Sequence, residues 1–197
     1  MKKISAIVCI VLLAVQAASA VTVAELSPAQ RDPLAQHDIV VLDTLPPSDP
    51  AAAGQGGTAV ALVRATLEAV WRVLVDYPGH RGLYPSVVDA TVLETSANHA
   101  LVKYVVGVGP FSFGFHVDNY ADRDRGRLGW RLAHDRHNDL FRDNWGYWQV
   151  EPTSGGVVLT YAMAARTVLP GFLTRSAERQ GLIATVRAVR DRAEQSR

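Results

Sequence analysis

The chain is nearly free of cysteine. Its single one, Cys9, sits inside the first apolar run. A disulfide framework, a cysteine-built metal site and thiol catalysis in the main domain are thereby excluded. Long hydrophobic runs are also missing after residue 20, so no later segment reads as a membrane-spanning helix. Charge of one sign is not in excess: 20 Lys and Arg stand against 19 Asp and Glu. A near-neutral chain gives no electrostatic case for nucleic acid or anionic lipid as a partner. G-x-S-x-G, H-E-x-x-H, phosphate-loop and dinucleotide glycine patterns are all absent, so no standard nucleophile, zinc or nucleotide site is indicated.

What is present begins with an address. Lys2 and Lys3 precede an apolar run from Ile4 to Val15, and Ala18-Ser19-Ala20 makes a small-residue cleavage site. Residues 1–20 therefore read as a secretory signal peptide cut before Val21, with a retained signal anchor as the alternative. Cleavage takes away two Lys, Cys9 and no acid, turning the formal charge from +1 to −1. Residues 21–57 read as an N-terminal extension and linker, and 58–197 as one domain, long enough to bury roughly 70% of its chain surface. In the extension, Ser27-Pro28-Ala29-Gln30 has a capping-box start for a short helix to about Gln36. Ile39–Leu42 is a brief strand, and Pro46–Gly57 a loop rich in Pro, Gly, Ala and Ser.

The main domain is organised around Val60–Glu94. Val60, Leu62 and Arg64 alternate with Ala61, Val63 and Ala65, as in a strand. Thr66 suits an N-cap, with Glu68 in the first turn. Leu67, Val70, Trp71, Leu74 and Val75 form one apolar helical face. Pro78 predicts a stop near Asp76 and an extended Tyr77. Pro78, Gly79, Gly82 and Pro85 leave room for one short turn carrying Leu83 and Tyr84, and Val87–Leu93 returns as a strand.

Five further strands are predicted: Ala100–Val108, Phe111–Tyr120 with alternating aromatics, Leu128–Leu132, Arg142–Val150 and Val157–Val168. Pro170 then sits at N1 of a closing helix. Phe172, Leu173, Leu182, Ile183, Val186 and Val189 make that helix's apolar side, and Arg residues crowd its last turns. The fold class is α+β, a curved antiparallel sheet around a long C-terminal helix. One helix cannot cover the whole concave face of such a sheet, so the remainder is filled by large side chains or left as a cavity.

Three pieces in this order carry a resemblance: ATLEAVWRVLVDYPGHRGLYPSV after the first strand, GYWQVEP entering the last hairpin, and LPGFLTRSAERQGLIATVRAVRDRAE at the end. They resemble the START-like, or helix-grip, superfamily, whose bacterial members are polyketide cyclase/dehydrase-like, lipid-transport-like or coenzyme Q-binding-like (SRPBCC) proteins. The resemblance runs from about Thr58 to Glu194. It implies structural roles for Trp71, Asp76, Pro85 and the Gly146–Pro152 segment, and a hydrophobic cavity between sheet and long helix. The short N-terminal helix and strand depart from the minimal domain and are similar to extensions of secreted members.

On this reading the cavity is expected to be lined by Leu83, Tyr84, Tyr104, Phe113, Phe115, Trp130, Trp148 and Phe172. Its occupant would be a lipid, quinone or polyketide-like molecule, bound or carried by a secreted, periplasmic protein. A cyclase or aromatase using the same cavity is the alternative, and an interaction module with a filled core is another. No metal or cofactor is implied. The H-x-x-H pair His134/His137 lies in a polar loop. His116 and Asp118 share one strand face, read as the exterior. Tyr104, Tyr147 and Tyr161 could orient a polar ligand head, although a buried tyrosine commonly needs only one hydrogen bond. Arg131 and Arg142 could hold a carboxylate, but exposed strand arginines are commoner.

Overall fold

Local sequence sets each boundary of the domain in the computed structural model, which describes residues 26–47, 54–168 and 175–196. The predicted signal peptide, Pro170 and Phe172 lie outside the described residues. Helix α1 spans Pro28–Ala35 and has the expected capping box between Ser27 and Gln30. Strands β1 (Val40–Leu42) and β2 (Gln55–Val63) follow, β2 starting three residues before Thr58, where the main domain was expected to begin. Helix α2 covers Leu67–Val75, with the Thr66 hydroxyl accepting from the Ala69 amide at 3.1 Å. A 3₁₀ turn occupies Pro78–His80. Strands β3 (Val87–Thr95), β4 (His99–Val108), β5 (Phe111–Asp122), β6 (Arg127–Leu132), β7 (Phe141–Thr153) and β8 (Gly156–Thr167) lead to helix α3, Arg175–Gln195.

All eight strands form one antiparallel sheet in the order β1-β2-β8-β7-β6-β5-β4-β3. This is the α+β helix-grip arrangement expected. The extension adds β1 to the edge beside β2. Helix α1 covers the outer face there, where Leu26, Leu34, Val40, Val60 and Val158 are buried together.

Two expectations need correction. Tyr77 is not extended: its backbone is helical (φ −54°, ψ −43°), and Asp76 (φ −79°, ψ 68°) is the residue that leaves the helix. The break falls one residue early because Tyr77 must open the 3₁₀ turn while keeping its ring buried against His80. The last hairpin is also tighter than the gap between the expected strands Arg142–Val150 and Val157–Val168. Only Ser154 and Gly155 form the turn, and Pro152 pairs with Val157 inside β7. Strand β6 begins only at Arg127, opposite Gln149, so no strand on that side needs the amide that Pro152 lacks.

The inner face of the sheet is covered unevenly. Helix α3 packs on β1, β2, β8 and α2. Leu182, Val186, Val189 and Ala193 meet Val70, Leu74, Val157 and Leu159 there. Its C-terminal part is also tied down by polar contacts. Glu194 accepts from the Arg64 amide at 2.7 Å, and Arg190 donates to the His37 carbonyl at 2.9 Å. A second cluster, with Tyr77, Val102, Tyr104, Phe115 and Leu132, lies on the β3–β6 half. Trp130 packs against both clusters.

Candidate functional site

Between the two clusters lies a cavity of about 220 Å³. That is far more than the roughly 10–15 Å³ that one water needs, and less than the roughly 300–1,000 Å³ of pockets for drug-sized ligands. One wall is a run of rings. Tyr84 stacks on Trp148 (centroids 6.3 Å apart), Trp148 on Tyr161 (4.2 Å) and Tyr161 on Trp130 (5.6 Å). The opposite wall holds Tyr104, Phe115 and Phe141, with Tyr104 and Phe115 stacked at 5.7 Å. Strand register makes room for the largest ring. Trp130 pairs with Gly146, and a Cβ at Gly146 would collide with the Trp130 indole.

The loop after α2 delivers the polar groups. Asp76 accepts from the Gly79 amide at 3.3 Å, and the amides of Leu83 and Tyr84 both bond the His80 carbonyl at 3.1 Å. This folds His80 inward to 2% exposure. Its Nε2 lies 3.3 Å from the Val73 carbonyl, one of the acceptors left over at the end of α2. Its Nδ1 lies 2.9 Å from the Tyr104 hydroxyl. Burial pushes the His80 imidazole down to about 4, against the opposing pull of the Val73 carbonyl and Asp76. Burial likewise pushes the Tyr77 phenol up to about 12 and raises those of Tyr84, Tyr104 and Tyr161. All of these groups are therefore neutral at ordinary pH.

Two amides complete the wall. Asn144 accepts from the Trp130 indole at 2.8 Å, and Asn119 donates to the carbonyls of Ala100 and Val117 at 3.3 and 3.2 Å. The Tyr84 hydroxyl is buried and has no hydrogen-bond partner; the Trp148 indole approaches it outside hydrogen-bonding geometry. Among the described residues, none of those lining the cavity is an Asp, Glu, Lys or Arg. Among the described residues, no group of three His, Cys, Asp or Glu is placed to hold a metal.

Of the expected lining residues, Tyr84, Tyr104, Phe115, Trp130 and Trp148 border the cavity. Leu83 packs against the α2–α3 core instead. Phe113 shares the inward face of Phe115 and pairs with Val106, which lines the cavity, but Phe113 does not itself border it. Tyr161 lines the cavity, whereas Tyr147 points to the outer face under the Arg127 guanidinium. His116 is on the outer face, its Nδ1 donating to the His137 carbonyl at 2.8 Å. Arg131 is outside as well, on Tyr120 and Asp118.

His80, Asn119, Asn144 and Thr185 were not anticipated. Asn119 and Asn144 had a readable signal: each sits at an inward position of its strand, in step with Val117 and with Trp148. His80 had a weaker one, as the first polar side chain after the Pro-Gly break.

The chain belongs to the polyketide cyclase/dehydrase and lipid transport family, which its residues 63–190 match. No curated protein sequence matches it significantly. Solved structures share the fold at low identity. The Zhui aromatase/cyclase from a Streptomyces species is 18% identical, with 73% of this chain and 95% of that one covered and a TM-score of 0.63. A STAR-related lipid transfer protein from Xanthomonas axonopodis is 16% identical, with 80% and 93% covered and a TM-score of 0.66. A START superfamily protein from Mycobacterium smegmatis is 15% identical, with 71% and 97% covered and a TM-score of 0.59. No helix among the described residues is long and apolar enough to cross a membrane.

Proposed function

We propose that this protein is a secreted, periplasmic carrier that holds an uncharged, largely apolar small molecule of the lipid, quinone or polyketide-like class in the cavity beside α3. One observation carries the reading: the wall is built from stacked aromatic rings, and none of its described residues is charged. A carboxylate or phosphate placed inside would find no cation to offset its desolvation. The size of the cavity favours a single ring system or part of an acyl chain. The family's lipid-transport and cyclase members agree with an apolar ligand. The composition of residues 1–20 supports export.

Carriage is preferred to catalysis because His80 is the one base among the described lining residues, and both of its ring nitrogens are committed. The test is native mass spectrometry of the protein purified from its own cell envelope, followed by organic extraction. A stoichiometric neutral ligand is expected. A protein that stays empty under conditions that preserve lipid complexes, or that carries only charged lipids, would refute the reading.

A further inference from the structure

We propose that Tyr104 presents the cavity with a hydrogen-bond acceptor, so that the preferred occupant carries a hydroxyl or N–H donor on an otherwise apolar ring body. This rests on the binding reading above and narrows it.

The direction of the Tyr104 bond follows from counting protons. The Val73 carbonyl can only accept, so the His80 Nε2 at 3.3 Å carries the hydrogen. A buried, neutral imidazole has one N–H, which leaves Nδ1 bare. The Tyr104 hydroxyl, 2.9 Å from Nδ1, must therefore be the donor. A phenol has one proton. With that proton turned to His80, the oxygen has only lone pairs left to offer the cavity that Tyr104 lines.

Other donors of the wall are spent in the same way. The Trp130 indole gives its proton to Asn144, and Asn119 gives both of its amide protons to backbone carbonyls. The Asn144 amide, having accepted from Trp130, can still donate to a ligand acceptor, as can the unpartnered Tyr84 hydroxyl. The cavity thus offers an acceptor at Tyr104 and donors at Asn144 and Tyr84.

Three probes of one shape test this: a naphthol, the matching methylnaphthalene and the matching methoxynaphthalene, titrated by quenching of Trp130 and Trp148 fluorescence. In the unmodified protein the naphthol should bind about fivefold tighter than the other two, the worth of one neutral hydrogen bond. Tyr104→Phe should abolish that preference and leave the other two affinities within twofold.

Nitrogen-detected NMR of the His80 ring in the unmodified protein gives a second reading that needs no variant. It should show Nε2 protonated and Nδ1 bare. Equal binding of all three probes, a naphthol preference that survives Tyr104→Phe, or the opposite tautomer would overturn this inference and leave the cavity reading standing. Failure of all three probes to bind would overturn both.

Discussion

His80 makes acid sensitivity a quantitative test of the site. In the folded chain its imidazole titrates at about 4, against 6.5 for the free side chain, mainly because it is buried. Below pH 6.5 the unfolded chain takes up a proton at His80 that the folded chain refuses until about pH 4. Unfolding is therefore coupled to proton uptake in this window, and stability falls as pH falls. At pH 5 the unfolded side chain is about 1.5 units below its pKa while the folded one is still about one unit above. At roughly 1.36 kcal/mol per unit, the loss between pH 7 and pH 5 is about 2 kcal/mol. Urea unfolding of the unmodified protein and of His80→Gln at both pH values isolates this contribution, because the variant lacks the titrating ring. The unmodified protein should lose about 2 kcal/mol more than the variant over that interval. Should the variant fail to fold, an NMR titration of the His80 ring protons reads the same pKa directly. Equal pH dependence of the two proteins, or a ring that titrates near 6.5, would refute the burial argument and with it the neutral wall.

Other perturbations separate core from site. Leu74 is fully buried between α2, α3 and the sheet, so Leu74→Ala should cost about 3 kcal/mol in chemical denaturation; a cost below about 1 kcal/mol would mean the α2–α3 seam is not packed as described. Gly146→Ala places a methyl against the Trp130 indole and the Ala162 carbonyl, so it should lower the melting temperature and shift tryptophan emission as Trp130 loses Asn144. Unchanged emission would contradict the stacking of Trp130 over Gly146. Trp148→Ala removes the centre of the aromatic wall and should weaken naphthol binding about tenfold, while Phe113→Ala should leave it within twofold. The reverse ranking in titration would move the site to the far end of β4–β5.

The fold was legible because its signals are local and repeated. The Thr66 cap, the apolar face of α2, the Pro78 break and the alternation in β5 each depend on a few adjacent residues, and the structure repeats each of them. Tyr77 escaped because a tertiary demand, burial of its ring against His80, overrode a local preference of the residue before proline. The aromatic wall was half legible. Period-2 alternation says which residues share a face, but it does not say where along a strand the cavity ends. That is why Phe113 and Phe115, two residues apart on one face, have different fates. His80 was the least visible. Its place depends on a carbonyl in α2 and a tyrosine in β4, while His80 itself stands in a turn outside both, where no periodic pattern applies.

Cavity size itself supplies the last test. The space of about 220 Å³ opens partly to solvent, and along it Phe115, Phe141 and Trp148 offer water no hydrogen bond. Such a space persists in a folded chain when the positions around it are fixed for other reasons, as Trp130 is by Gly146 and Tyr104 by His80. A molecule that fills it then recovers contacts that the protein cannot make for itself. Binding should therefore raise stability by simple mass action. At a naphthol concentration of about 100 times its Kd, the gain should be about 2.7 kcal/mol, read as an upward shift of the unfolding midpoint. A probe that binds by calorimetry yet leaves the midpoint unmoved would have to bind the unfolded chain equally well. In that case the aromatic wall described here is not where it binds.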